Sequence, residues 1–173
     1  MISDLLEVIV KRSPKRKKTI NAHMQNGKII IQIPTGLSKS EETLIIQKMQ
    51  KRLEMRKNAQ ESKNRELLGR RFNFLNNKFF SGKLEASLSF SERQEYRNGS
   101  CTPANKTIRI SHNLIDMPVW VLDYVLMHEM THLIYSNHSK EFWRKVNEYK
   151  YTERARGFLI AKGMEKEDNI PDN

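Results

Sequence analysis

The stretch Val119-Trp120-Val121-Leu122-Asp123-Tyr124-Val125-Leu126-Met127-His128-Glu129-Met130-Thr131-His132 governs the reading of this chain. Asp116 and Pro118 stand just ahead of it and announce a helix start, which predicts a helix from about Met117 to Ser136. Histidines four apart on a helix lie one turn apart on the same face. Both imidazoles, His128 and His132, can therefore reach one metal ion. Glu129 stands at the edge of that face, where its carboxylate can reach a metal-bound water without binding the metal. Zinc takes nitrogen ligands at about 2.0–2.1 Å and lowers the pKa of its water towards about 7. A carboxylate so placed accepts the water's proton during attack on a carbonyl and later passes it to the leaving amine.

A catalytic zinc site wants three protein ligands and one open position. His138 is the leading third candidate. It follows His132 by six residues, just beyond the expected helix end, and Ser136-Asn137 can turn the chain there, Asn tolerating the left-handed conformation. The rivals are carboxylates of the following helices: Glu141, Glu148 and Glu153. His112, at the end of the preceding strand, reads as supporting or structural, and His23 as unrelated. An oxyanion donor is also needed. Tyr135 and Tyr149 have the chemistry, but no pattern singles out either. Cys101, beside Gly99 and Ser100, reads as a small packed residue rather than a thiolate ligand.

Outward from this helix, Lys106–Ser111 alternates as a strand with Ile108 and Ile110 on one face, and Leu84–Phe90 is a second candidate. A sheet edge exposed near such a site can hold a peptide by backbone pairing. Upstream, Leu67, Leu68, Phe72, Phe74, Leu75 and Phe79 mark a helix over Lys63–Phe80, stopped by Ser81-Gly82. Leu44, Ile45, Met49 and Leu53 mark another over Glu41–Asn58, capped by Ser38 or Ser40. Residues 54–66 are almost wholly polar and read as exposed helix or linker. Asn26-Gly27 joins two strand-like runs within residues 18–33 as a tight hairpin, with Ile29, Ile31 and Ile33 on one face and Pro34 at the end. Residues 5–10 form a further strand. Downstream, Ser139 caps a helix through about Tyr149, and Thr152–Ala161 forms a last helix ended by Gly163.

The chain has 173 residues, 38% hydrophobic and 29% charged. Such a composition excludes whole-chain disorder and an integral membrane protein. The longest apolar run, Val119–Met127, is broken by Asp123 and is far short of the about 20 residues a span needs. Met1–Val10 carries Asp4 and Glu7 and lacks the basic leader of a signal peptide. A single cysteine excludes an internal disulfide, and a cytoplasmic setting is expected. Of the net charge of +11, most lies early: residues 1–70 hold 16 basic and 7 acidic side chains, and the remainder 15 and 13. The densest run, Lys11, Arg12, Lys15, Arg16, Lys17 and Lys18, favours a polyanion, nucleic acid being the usual one. No aromatic residue interrupts it, so no base-stacking platform is indicated.

His128-Glu129-x-x-His132-x5-His138-Ser139-x-x-Phe142-Trp143 resembles the YgjP-like zinc metallopeptidases, relatives of the SprT-like and Wss-type proteases. Arg97-x-Gly99-Ser100-Cys101 resembles the family's Arg-Trp-Gly-Ser-Cys element, with Asn98 in the place of the Trp. Ile108–Ser111, Trp120–Val125 and Thr152-Glu153-Arg154-Ala155-Arg156-Gly157 resemble further family segments, and the likeness runs from about residue 7 to 162. It implies a zincin-like fold and one zinc per chain held by His128, His132 and His138, with Glu129 as general base. Asn98 puts substrate choice in question.

The expected architecture is α+β: a basic β-hairpin plus helix region over residues 1–60, a zincin-like catalytic domain over 61–163, and a polar tail over 164–173. The expected activity is zinc-dependent hydrolysis of a peptide or protein substrate. The alternative is a basic nucleic-acid-associated module with a structural zinc, or a DNA-associated protease of the SprT/Wss type.

Overall fold

The computed structural model describes residues 7–91 and 97–164. The first two residues of the strand expected over 5–10, and the tail from Glu165 onward, lie outside the described residues. The chain divides into two compact units, Met1–Ser62 and Lys63–Asn173.

The first unit holds a three-stranded sheet of order β1-β3-β2, from β1 (Val8–Ser13), β2 (Asn21–Gln25) and β3 (Lys28–Pro34). The β2–β3 hairpin turns on Asn26 and Gly27 at φ +51° and +73°. Two consecutive positive φ values are what a tight turn of matching twist demands, and Asn-Gly supplies them at little cost. β1 lies parallel to β3, with Val8 opposite Ile29 and Val10 opposite Ile31. Ile29, Ile31 and Ile33 are fully buried on one face, against Ile45, Ile46, Met49 and Leu53 of the following helix. Each such side chain contributes about 1.5–3 kcal/mol by leaving water.

That helix, α1 (Lys39–Phe79), is a single element of 41 residues. The sequence suggested two helices with residues 54–66 undecided between helix and linker. The stretch is helical because it contains no proline and is rich in Lys, Arg, Glu and Gln, all good helix formers. Its start is a capping box: the Ser38 hydroxyl accepts from the Glu41 backbone N–H at 3.3 Å, and a Glu41 carboxylate oxygen accepts from the Ser38 N–H at 2.8 Å.

In the second unit, β4 (Ser87–Ser91), β5 (Gly99–Thr102) and β6 (Thr107–Ser111) form a sheet of order β4-β6-β5. β4 runs parallel to the central β6 and β5 antiparallel to it. α2 (Val119–Thr131) is buried at every residue from Val121 to Met127. A helix apolar around most of its circumference is a core helix. It packs with α3 (Lys140–Val146), α4 (Thr152–Ala161) and the sheet around Ile108, Ile110, Leu126, Phe142, Val146 and Leu159, all fully buried. Leu68, Phe72 and Leu75 of α1 complete this core. Asp123, almost wholly buried on α2, accepts a bidentate pair from Arg71 at 2.7 and 2.5 Å, and the Tyr149 hydroxyl donates to its Oδ2 at 3.2 Å. The architecture is α+β, consistent with a zincin-like domain. Among the described residues, no helix is long and apolar enough to cross a membrane.

Candidate metal centre and active site

α2 ends at Thr131, five residues before the expected Ser136. The Thr131 hydroxyl donates to the Met127 carbonyl one turn back at 2.7 Å, and Leu133 and Ile134 then bond three residues back rather than four. The last turn tightens and the chain leaves the helix axis. The link to α3 passes without a left-handed residue at Asn137: the non-glycine residues with positive φ among those described are Asn26, Ser81 and Lys106. Ser139 then caps α3, its Oγ accepting from the Phe142 N–H at 3.4 Å. The cap fixes where α3 begins, and so where His138 stands.

This path brings His128, His132 and His138 together. One ring nitrogen from each lies within 4.8 Å of the others, and among the described residues this is the one group of three or more His, Cys, Asp or Glu that could hold a metal ion. Nε2 of His138 and Nε2 of His128 are 3.1 Å apart. Two nitrogens on one tetrahedral zinc, each about 2.0 Å from it, stand about 3.3 Å apart. The spacing and the all-imidazole donor set therefore fit such an ion. The Nδ1 of His132 meets the Tyr135 carbonyl at 3.1 Å. That contact leaves Nε2 of His132 free to act as a ligand.

Burial holds His128 neutral, with its pKa lowered to about 3, the other two histidines and Arg156 adding to the effect. Burial also lowers the pKa of His132 and of His138. Neutral imidazole is the form that binds metal.

Glu129 points between α2 and β5 and is 6% exposed. Burial pushes its carboxyl up to about 8, partly offset by the charge of Arg97. Gly99 of β5 lies against it. Glu129 and the three histidines line one cleft of about 900 Å³, with Arg97, Tyr124 and Met164 on its wall. Arg97 and Ser100, noted in the sequence only within the family-like element, Tyr124, noted only within the family-like segment Trp120–Val125, and Asn113 also line the cleft. Asn113 belongs to no motif or periodic pattern that could have pointed to it.

The other singled-out residues lie elsewhere or do other work. Glu148 pairs with Lys145, Glu153 with Arg156, and Glu141 sits in the first turn of α3, none of them in the histidine group. The Tyr149 hydroxyl is engaged by Asp123 and by the Trp120 carbonyl at 3.3 Å, and neither Tyr149 nor Tyr135 lines the histidine cleft. His112 is exposed, with its ring edge-on to Phe90 at 6.3 Å, and His23 lies on β2 opposite Ile30. Cys101 lines the cleft, its thiol pushed up to about 11 by burial and then by the charge of Glu129, so it is protonated at neutral pH. Asn98 donates from Nδ2 to the Met164 carbonyl at 2.8 Å, tying the start of β5 to the turn after α4.

In the first unit, Arg12 is held bidentately by Glu42 at 2.7 and 2.9 Å, and Arg16 donates to Gln32 at 2.5 Å. Lys11, Lys15, Lys17 and Lys18 are exposed and have no acidic partner among the described residues.

Two histidines of α2, a third from the turn that follows and a buried glutamate beside them thus meet at one cleft. Residues 83–156 match the YgjP-like metallopeptidase domain, a segment that runs from just before β4 into α4. A solved structure, that of the metallopeptidase zymogen of Pyrococcus abyssi abylysin, is 17% identical, with a TM-score of 0.49 over 55% of this chain and 93% of that one. No curated protein matches the sequence.

Proposed function

We propose that the chain is a zinc-dependent metallopeptidase in which His128, His132 and His138 hold the ion and Glu129 is the general base. The observation that carries this reading is the convergence of three neutral imidazoles beside a buried glutamate on one cleft wall. Bound there, zinc would supply Lewis acidity, lowering the pKa of a water towards about 7 and polarising the scissile carbonyl. Glu129 takes the proton from the attacking water, whose oxygen bonds to the carbonyl carbon. It then returns that proton to the amide nitrogen as the C–N bond breaks. A cation held by the histidines would offset the burial that raises the Glu129 carboxyl in the metal-free protein and favour the ionised form that accepts the proton. β5, at the edge of its sheet among the described residues, lies on the cleft wall, where an extended substrate could pair with it.

Glu129→Gln is the test. The expected result is retained zinc with cleavage of a denatured protein substrate reduced by about 10²–10⁴-fold. A Glu129→Gln variant that cleaves as fast as wild type contradicts the assignment.

A second reading concerns the first unit, where four lysines have no acidic partner among the described residues while both arginines of the run are engaged. Lys11, Lys15, Lys17 and Lys18 then contact nucleic-acid phosphates. Duplex DNA binding should weaken steeply with salt, and neutralising all four should reduce the slope of log K against log salt by up to about 3.6. An unchanged slope rules these lysines out as the contact.

A further inference from the structure

Arg156 belongs to the family-like segment Thr152–Gly157, and its one part so far is that its charge helps to keep His128 neutral. It is a charged residue only 6% exposed. Burying a guanidinium is costly unless its surroundings compensate. Two neighbours do so: Glu153, 3.3 Å from Nη1, and Trp143, whose ring centre lies 5.1 Å from the guanidinium carbon. The second is within range of a cation–π contact, which strengthens when water is excluded.

Trp143 in turn touches two of the three clustered histidines. Its ring stacks on His138 at 5.7 Å and 25°, and meets His128 edge-on at 5.8 Å. Phe142, the preceding residue on α3, stands edge-on to His138 at 4.7 Å. The three histidines are held in different ways. His128 projects from a buried helix, and the Tyr135 carbonyl engages the second nitrogen of His132. His138 comes from the turn, is exposed, and has no such carbonyl or carboxylate among the described residues. Hydrogen bonds usually set the ring orientation of a metal-binding histidine. For His138, ring contacts do that work.

We infer that Trp143, backed by Arg156, is a positioning residue that presets the His138 ring for metal binding. The inference rests on the metal reading above and adds to it two residues outside the histidine group and the cleft lining. A planar guanidinium can stack flat on the indole, whereas an ammonium meets it only as a point charge, so Arg and Lys are not equivalent here.

Zinc affinity, measured by competition with a chelator of known strength, tests this. Trp143→Leu, Trp143→Phe, Arg156→Gln and Arg156→Lys are compared with wild type and His138→Ala. The absorption spectrum of the cobalt-loaded proteins reports ligand geometry, and thermal unfolding of the metal-free proteins reports the fold. Trp143→Leu and Arg156→Gln should bind zinc about 10–100-fold more weakly, with an altered cobalt spectrum. Trp143→Phe, which keeps an aromatic face, should lose less than Trp143→Leu. Arg156→Lys should recover only part of the loss. The two conservative variants carry the test if the drastic ones unfold. Folded variants that bind zinc as tightly as wild type, while His138→Ala binds weakly, overturn the inference. A wild-type protein without zinc affinity overturns the metal reading itself, and this inference with it.

Discussion

A Cβ placed on Gly99 would stand 2.6 Å from Oε1 of Glu129 and under 3.0 Å from two further atoms of its side chain. The buried glutamate and strand β5 are thus in direct contact, and a side chain at position 99 would force the Glu129 side chain to shift. Gly99→Ala should displace the Glu129 carboxylate while leaving the histidines in place. Peptide cleavage should fall at least about 10-fold with zinc content unchanged, since small misplacements of a reacting group are costly. Wild-type turnover by this variant would mean that Glu129 need not stand where it does.

The metal-free protein should carry two opposed pH dependences. Glu129 keeps its proton up to about pH 8 in the folded chain, against an ordinary value of 4.5. The folded state binds more protons across that window, so stability falls as pH rises from 4.5 to 8. Glu129→Gln removes this slope and should gain on wild type progressively as pH rises. His128 behaves the other way: it stays neutral down to about 3 against an ordinary 6.5, so stability falls as pH drops from 6.5 to 3. Urea titrations at several pH values check both signs, and a wild-type minus Gln-variant difference independent of pH would contradict the first.

Asp123 joins α1 to α2 through Arg71 and receives the Tyr149 hydroxyl. Removing one partner of a buried pair leaves the other charge uncompensated. Asp123→Ala should therefore lower stability by about 3 kcal/mol, near the lower end for such losses because Arg71 is partly exposed. Tyr149→Phe should cost about 1 kcal/mol. An Asp123→Ala protein with an unshifted urea midpoint would show that this pair does not stabilise the fold.

What was legible in the sequence was what local chemistry dictates. Asn26-Gly27, Ser139 and Gly163 each demand a particular backbone at one point, and the turn, the cap and the helix end lie where those residues stand. The His128–His132 spacing put two imidazoles on one helical face. β5 was harder to read as a discrete strand because Gly-Ser-Cys-Thr has little strand propensity; its partner β6 makes it one. The early end of α2 depends on a threonine hydroxyl turned back on its own helix. The Gly99–Glu129 contact joins β5 to α2, and the Arg156–Trp143 contact joins α4 to α3. No local pattern encodes such meetings.

Metal content tests the central claim most directly. Wild-type protein and His138→Ala, purified without added metal, are compared by mass spectrometry. The account predicts one zinc per wild-type chain and a much reduced content in the variant. No zinc in wild type, or an equal zinc content in both, would contradict the three-histidine site.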